Sequence, residues 1–219
     1  MVQDEELYAT VMKKLQFEPS IDESDITVAI KEDGIVVLGG TVKSYIEKRL
    51  SEEAVQKLAK VKAVANELEV QLLPSYKRSD VEIAKAAIHA LQWTLFVPDE
   101  HIKVTVEKGH LTLAGNVEYH YQKERAYNAV RNLYGVIAII NNIQVKPAVS
   151  PENIKRKITE EFERNARIDA RHVQVEVVDG DKVILKGTVR NFDEEREATM
   201  AAWAVPGVSN VIDNLTINW

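Results

Sequence analysis

The 219-residue sequence contains no cysteine, which excludes disulfide bonds, thiolate metal sites and cysteine nucleophiles. It also lacks long hydrophobic runs, since no apolar stretch approaches the roughly 18–20 residues that a membrane-spanning helix needs. The first residues, "MVQDEELYATVMKKL", are without the basic start and apolar core of a secretory signal peptide. These absences predict a cytoplasmic protein.

Motifs for catalysis are missing as well. There is no Gly-x-Ser-x-Gly, no His-Glu-x-x-His and no phosphate-binding loop. Acidic triplets such as "DEE" (4–6), "SEE" (51–53) and "DEE" (193–195) are explained as solvated charge on helices. Four of the five histidines lie in the middle of the chain, but no two have a spacing that would bring their imidazoles together. We therefore expect no enzyme, no metal site and no cofactor.

The charge balance bears on partners. The formal net charge is −6, and 28% of the residues are charged. Binding to nucleic acid needs a clustered basic surface, so the balance argues against a nucleic-acid partner. The hydrophobic fraction of 45% is that of an ordinary globular chain.

A seven-residue pattern occurs three times and divides the chain. "VVLGGTV" (36–42) returns as "LTLAGNV" (111–117) and as "VILKGTV" (183–189), each with glycine at the fifth position. In every copy an Asn or Asp follows that glycine by 26 residues, at Asn66, Asn141 and Asp213. A spacing held constant over this length indicates a tandem repeat of one structural unit.

Each copy shows the periodicities of helix, strand, strand, helix and strand. Leu7, Val11 and Leu15 mark one face of a helix, and equivalent stripes begin the other two copies. Residues 26–30 alternate between an apolar face and a face that is mostly polar in the three copies, and a turn at 33–34 leads back into the glycine-bearing strand. The sequence thus predicts an α+β fold of three tandem two-layer αββαβ units, each a three-stranded sheet covered on one face by two helices.

Short proline-containing linkers separate the copies, at residues 72–79 and 146–151. They predict three domains, with boundaries at 1–73, 79–147 and 150–219. These are domains 1, 2 and 3 below.

The repeated glycines Gly40, Gly115 and Gly187 share parity with the apolar residues of their strands. We expect them to be structural glycines that face the helices and let a helix backbone approach the sheet. On this account, alanine at position 115 overpacks the core by about 1–3 kcal/mol.

The copies share further motifs: "LxGxV" in the central strand, the "EKR", "QKER" or "EER" of the second helix, and a closing segment that reads "PGVSNVIDNLTI" in the third copy. This pattern resembles the BON domain, the bacterial osmotic-induction and nodulation module. The first two copies add "LQFEP" (15–19) and "LQWTLFVP" (91–98), which are similar to a segment common in three-copy BON proteins. The chain is identified as three tandem BON-like, transport-associated domains. Lys60 of the first copy stands where the others have Gly135 and Gly207.

The resemblance implies a non-enzymatic αββαβ module associated with envelope or osmotic stress and with membrane integrity. Several relatives bind anionic phospholipid surfaces. One relative, in which a single BON module is joined to a different domain, binds potassium.

Domain 2 differs from its neighbours in charge and in aromatic content. Between residues 77 and 148 basic side chains outnumber acidic ones, nine against seven, and six of the fourteen aromatic residues lie there. Aromatic and basic residues together are typical of an interfacial membrane contact. The candidates for membrane or partner contact are Trp93, Tyr119, Tyr121, Lys123, Arg125 and Arg131.

Trp93 and Phe96 also have a second interpretation. They could fill the gap between the first helix and the first strand, as Phe17 would in domain 1, because large aromatic side chains mostly bury. For Trp93 this core interpretation is the favoured one. Trp203 and Trp219 could lie in a core or at an oligomer contact.

We therefore predict a stress-associated binding protein that contacts anionic phospholipid through domain 2. Two alternatives stay open. One is a scaffold for protein–protein interaction or self-association, as a homo-oligomer or with a protein partner, and the other is a module that senses potassium or a small ligand.

Overall fold

The structure is a computed structural model, which describes residues 2–146 and 150–218. Domain 1 begins with helix α1 (Val2–Phe17), strand β1 (Ile26–Lys31) and strand β2 (Ile35–Val42). Helix α2 (Tyr45–Gln56) and the short strands β3 (Ala63–Asn66) and β4 (Glu69–Val70) complete it.

The other two domains repeat this order of elements. Domain 2 contains α3 (Asp80–Gln92), β5 (Ile102–Glu107), β6 (His110–Val117), α4 (His120–Val130) and β7 (Ala138–Val145). Domain 3 contains α5 (Pro151–Arg164), β8 (Val173–Val178), β9 (Lys182–Val189), α6 (Phe192–Trp203) and β10 (Asn210–Ile217).

Each domain has its own sheet, with the glycine-bearing strand in the centre. The strand orders are β1-β2-β3, β5-β6-β7 and β8-β9-β10, and β4 also pairs with β2. Strands β1 and β2 are antiparallel, with Val28 opposite Leu38, whereas β3 runs parallel to β2. In domain 3, β8 is antiparallel and β10 parallel to β9. A parallel neighbour needs a crossover connection, which α2 and α6 provide in these two domains.

The hairpin turns explain why the first two strands of each domain are adjacent. Asp33 and Gly34 have φ of 61° and 75°, and Lys108 and Gly109 have φ of 49° and 77°. Two successive positive φ values are the requirement of a type I′ turn, whose twist matches that of the paired strands.

The predicted helix stripes are buried. Leu7, Val11 and Leu15 of α1 pack with Val36 and Leu38 of β2 in the core of domain 1. The core of domain 3 is built in the same way, from residues of α5, α6 and all three strands. The prediction of three tandem α+β units is confirmed.

The chain divides into two compact units that do not follow the repeat boundaries. The first consists of residues 1–87, 105–112 and 130–140, and the second of residues 88–104, 113–129 and 141–219. The predicted domain boundaries stay a prediction. Three of the predicted boundary residues, 1, 147 and 219, lie outside the described residues. The prediction that Trp219 lies in a core or at an oligomer contact therefore also falls outside them.

The explanation that we expected for the repeated glycine is wrong. Gly40, Gly115 and Gly187 have φ of 97°, 151° and 121° and are not buried against the helices. A Cβ atom on them would lie 2.1, 2.0 and 1.9 Å from the carbonyl oxygens of Asp25, His101 and His172, respectively. The close approach is therefore that of the backbone just before the neighbouring strand. At this point the central strand leaves the extended conformation, so side-chain parity no longer predicts which way the residue faces.

Within the described residues, no helix is long and apolar enough to cross a bilayer. The cytoplasmic location of the chain stays a prediction, which cell fractionation would test.

Candidate membrane-contact surface

The most exposed apolar side chains of domain 2 lie directly after helix α3. Trp93, Leu95 and Phe96 are 77%, 75% and 68% exposed, and we call these three residues the domain 2 tip. The interpretation of Trp93 and Phe96 as core residues is wrong, and Phe17, 78% exposed, does not fill a gap in domain 1 either.

Local hydrogen bonds hold the tip in place. The amides of Trp93 and Thr94 donate to the carbonyls of His89 and Leu91, at 3.1 Å each, and continue the helix by one turn. The Thr94 hydroxyl donates to the Ala90 carbonyl at 2.7 Å. Leu91 and Val97 on either side of the tip are buried, so they anchor the segment while the residues between them project outwards.

Phe96 has an unfavourable backbone conformation. Its φ is 67°, in the left-handed region, which a bulky side chain rarely adopts. Such a conformation costs about 1–3 kcal/mol and is concentrated at functional sites. The corresponding residues of the other domains, Ser20 and Arg167, are not among the described residues with positive φ.

Arg125 of helix α4 binds the tip from the side. Its Nη1 donates to the Leu95 carbonyl at 3.1 Å. The guanidinium carbon lies 5.3 Å from the ring centroid of Phe96 and 5.3 Å from that of Tyr121. At this distance a cation is attracted to an aromatic face, so Arg125 both orients the tip and brings positive charge beside it.

The structure brings several of the predicted residues together. The rings of Tyr119 and Tyr121 are 5.4 Å apart, which places this pair beside Arg125. Trp93 lies 5.5 Å from His89, one helical turn earlier. Lys123 is half-buried, and its carbonyl accepts a 3.3 Å hydrogen bond from the Asn141 amide.

The remaining candidate is Arg131. It belongs to the first compact unit, where it lines a cleft of about 270 Å³ together with Tyr45 and Tyr76. The structure therefore does not group Arg131 with the residues of the tip.

Leu95 and Phe96 are the surface residues that the sequence analysis missed. A comparison of the copies in register would have found them, because domain 1 has Pro19 and Ser20 at the same two positions. Apolar residues at positions that are small or polar in a sister copy are a signal of a surface specific to one domain.

Domain 1 carries a smaller version of this surface. Phe17 ends α1 at the position of Trp93, and the Lys14 ammonium lies 5.6 Å from its ring centroid. In domain 3 the position belongs to Arg164, which forms a 2.9 Å ion pair with Glu161. The apolar character therefore decreases from domain 2 to domain 1 and is absent at this position in domain 3.

Other chemistry finds less support in the structure. Among the described residues, no group of three or more His, Asp or Glu side chains could hold a metal ion. His120 is half-buried, and burial lowers its pKa, an effect that Glu124 opposes and Lys123 reinforces.

The similarity to known proteins has the same three-part division as the repeat. The family model described as the BON domain matches residues 3–71, 79–147 and 150–218. Osmotically-inducible protein Y of Escherichia coli (strain K12) is 29% identical over 126 residues, which cover 52% of this chain and 60% of that protein. The matched stretch spans less than two thirds of that relative's length.

Solved structures show only distant likeness. CdsD, a structural protein of the type III secretion system of Chlamydia trachomatis, is 16% identical with a TM-score of 0.28, over 97% of this chain and 92% of that chain. The PrgH periplasmic domain is 8% identical with a TM-score of 0.23, over 95% of this chain and 100% of that chain. Since the family model matches three successive segments that together make up most of the sequence, the chain belongs to the BON-domain family.

Proposed function

We propose that this chain is a non-enzymatic, stress-associated binding protein that contacts anionic phospholipid surfaces through domain 2. The observation that carries the proposal is the domain 2 tip, where three large apolar side chains project beside Arg125. The name of the E. coli relative supports a link to osmotic stress.

The chemistry of the tip suits the boundary between lipid headgroups and acyl chains. Tryptophan and phenylalanine insert at this depth, while arginine stays among the phosphates. Full burial of a Leu- or Phe-sized side chain contributes about 1.5–3 kcal/mol. Three such side chains therefore supply on the order of 5 kcal/mol before the costs of orientation are subtracted. The contact is expected to be weak and reversible.

Charge decides which membranes bind. The chain has a net charge of −6, so an anionic surface repels most of it, and only residues 77–148 carry an excess of basic side chains. A nearby Lys or Arg gains about 1 kcal/mol at an anionic surface, and salt screens this attraction. Binding is therefore expected to require anionic lipid and to weaken as salt rises.

The test is co-sedimentation of the full chain with vesicles of phosphatidylglycerol and phosphatidylcholine, beside vesicles of phosphatidylcholine alone. Wild type is expected in the pellet with the anionic vesicles only. The double variant Trp93→Ser/Phe96→Ser is expected to lower the partition coefficient at least about tenfold, since it removes more than 1.4 kcal/mol of apolar burial.

The matched control is Met200→Ser/Ile212→Ser, which removes two exposed apolar side chains from domain 3. This control is expected to bind like wild type. Equal loss in both double variants, or unchanged binding without Trp93 and Phe96, would contradict the proposal. Wild-type binding to phosphatidylcholine as strong as to the anionic vesicles would contradict its electrostatic part.

A further inference from the structure

Domain 3 docks on domain 2 through one loop and one helix start. The ring centroids of Trp203 and His120 are 4.0 Å apart. The Gly207 amide donates a 2.8 Å hydrogen bond to the Glu118 carbonyl. The segment from the end of α6 into the loop that follows, residues 203–208, thus covers the start of α4, residues 118–121.

The equivalent segments meet in the first compact unit. Residues 131–136, the loop after α4, line one cleft with Ser44, Tyr45 and Ile46 at the start of α2. In the register of the repeat, Arg131 corresponds to Trp203 and Tyr45 to His120. The linker contributes Tyr76, whose ring stacks on that of Tyr134 at 4.9 Å.

Both junctions therefore use the same two surfaces of the repeated unit. We call residues 56–61, 131–136 and 203–208 the loop surface of domains 1, 2 and 3. The helix-start surface is formed by residues 43–46, 118–121 and 190–193 in the same order. At each junction the loop surface of the later domain meets the helix-start surface of the earlier one.

Two of the six surfaces are used at neither junction: the loop surface of domain 1 and the helix-start surface of domain 3. Their exposure differs from that of their equivalents. Gly135 and Gly207 are buried, whereas Lys60 at the same position is exposed. Tyr45 is 9% exposed, whereas Phe192 at the same position is 67% exposed.

The two exposed surfaces keep the features that make the internal junctions fit. The left-handed residue of the loop is retained, with φ of 74° at Lys60 and 86° at Gly135 and Gly207. The loop surface of domain 1 carries Lys57 and Lys60, and Lys60 lies 3.7 Å from Glu6. On the helix-start surface of domain 3, Arg190 is paired with Glu194 at 2.9 Å, so Asp193, whose side chain is 88% exposed, is the charge that this surface offers to a lysine.

We propose that a second copy of this chain occupies these surfaces. The helix-start surface of domain 3 in one copy binds the loop surface of domain 1 in the next, in continuation of the junction used twice within the chain. This contact joins two different patches, so it is heterologous, and a complex of two copies still has one loop surface and one helix-start surface that the contact does not use. The proposal is independent of lipid binding.

The asymmetry provides the test. Variant A, Phe192→Ser/Asp193→Lys, disables the helix-start surface, and variant B, Lys57→Glu/Lys60→Glu, disables the loop surface. In sedimentation velocity at up to about 1 mM chain, wild type is expected to increase steadily in mass with concentration. Variants A and B are each expected to stay monomeric alone, and an equal mixture to form a 1:1 dimer, because A keeps the loop surface and B keeps the helix-start surface.

Phe17→Ser is the matched control, since it removes an exposed phenyl ring that lies on neither of the two surfaces. It is expected to assemble like wild type. Far-UV circular dichroism and the thermal midpoint establish that each variant is folded, and Asp193→Lys alone replaces variant A if the double variant unfolds. A monomeric wild type over the whole range, self-association of A or B alone, or a mixture without dimer would each overturn the proposal.

Discussion

The repeated glycine shows how one residue type can satisfy two demands at one backbone position. At Gly187 the chain adopts a φ of 121°, and the carbonyl of His172 occupies the place where a Cβ would be. That carbonyl also accepts a 3.1 Å hydrogen bond from the Thr188 amide, so it cannot retreat without losing a ladder bond. The glycine is retained in all three copies for conformation and for backbone proximity together.

Gly187→Ala is expected to lower the free energy of unfolding by about 1–3 kcal/mol, since it adds both overlap and left-handed strain. Gly180→Ala in the same domain is the control, because Gly180 has a φ of 91° but nothing within 4 Å of the added methyl group. Urea denaturation of both variants separates the two terms. Equal losses would show that conformation alone requires the glycine.

At the scale of the element, one acceptor side chain near the start of each second helix binds backbone amides outside that helix. This residue lies five positions after the last valine of the preceding strand. In domain 1, the Glu47 carboxylate is buried and accepts 2.8 Å hydrogen bonds from the amides of Asp22 and Lys43. In domain 3, Glu194 accepts from Asp169 and Arg190 at 2.6 and 2.8 Å. The carboxylate thus joins the helix start to the loop before the first strand.

Domain 2 has a glutamine side chain at this position, and a proline in the loop before its first strand explains the change. Gln122 Oε1 accepts from the amides of Glu118 and Tyr119, both at 3.0 Å and both local. The residue equivalent to Asp22 is Pro98, which has no amide hydrogen to donate. A second acceptor oxygen is therefore not needed, and both residues line a cleft of about 350 Å³ with His101 and Lys146.

Glu47→Ala is expected to cost about 2–3 kcal/mol of unfolding free energy, because it leaves two amide donors unsatisfied, one of them from a distant loop. Gln122→Ala is expected to cost only about 1 kcal/mol, the cost of losing a local helix cap. Chemical denaturation of the full chain, followed by circular dichroism, checks the difference. A larger loss for Gln122→Ala would contradict the role given to the long-range hydrogen bond.

At the scale of the whole molecule, the contact of Trp203 with His120 couples the docking of domain 3 to pH. The His120 Nδ1 is buried without a hydrogen-bond partner among the described residues, and Nε2 lies 3.9 Å from Glu124. Burial lowers the pKa of His120, so the folded chain favours the neutral imidazole. The unfolded chain then binds more protons near pH 6.5, and this part of the stability is lost as pH falls below that value.

The thermal midpoint of wild type is expected to decrease as the pH is lowered from 7.5 to 5.5. The decrease is expected to be smaller in His120→Phe, which keeps a ring against Trp203 and removes the titrating group. His110→Phe is the control, since His110 is exposed at the start of β6. Calorimetric scans at both pH values measure the effect. The same decline in wild type and His120→Phe would contradict a protonation of His120 as its cause.

The sequence by itself determined the repeat, the order of the elements and the faces that are buried. These follow from local rules: apolar periodicity places Leu7, Val11 and Leu15 on one helix face, and Asp33-Gly34 makes the turn. Because the three copies share one register, each copy supports these predictions separately. The fold and the family are confirmed.

Only the tertiary structure decided which residues the neighbouring elements cover. It exposed Trp93 and Phe96, set Arg125 beside them, assigned Arg131 to the other compact unit, and showed the carbonyl just before β5 where a helix was expected against Gly115. Exposure and proximity depend on segments that are distant in sequence. Periodicity predicts which face of an element is apolar, but it does not determine which other element packs against that face or how closely.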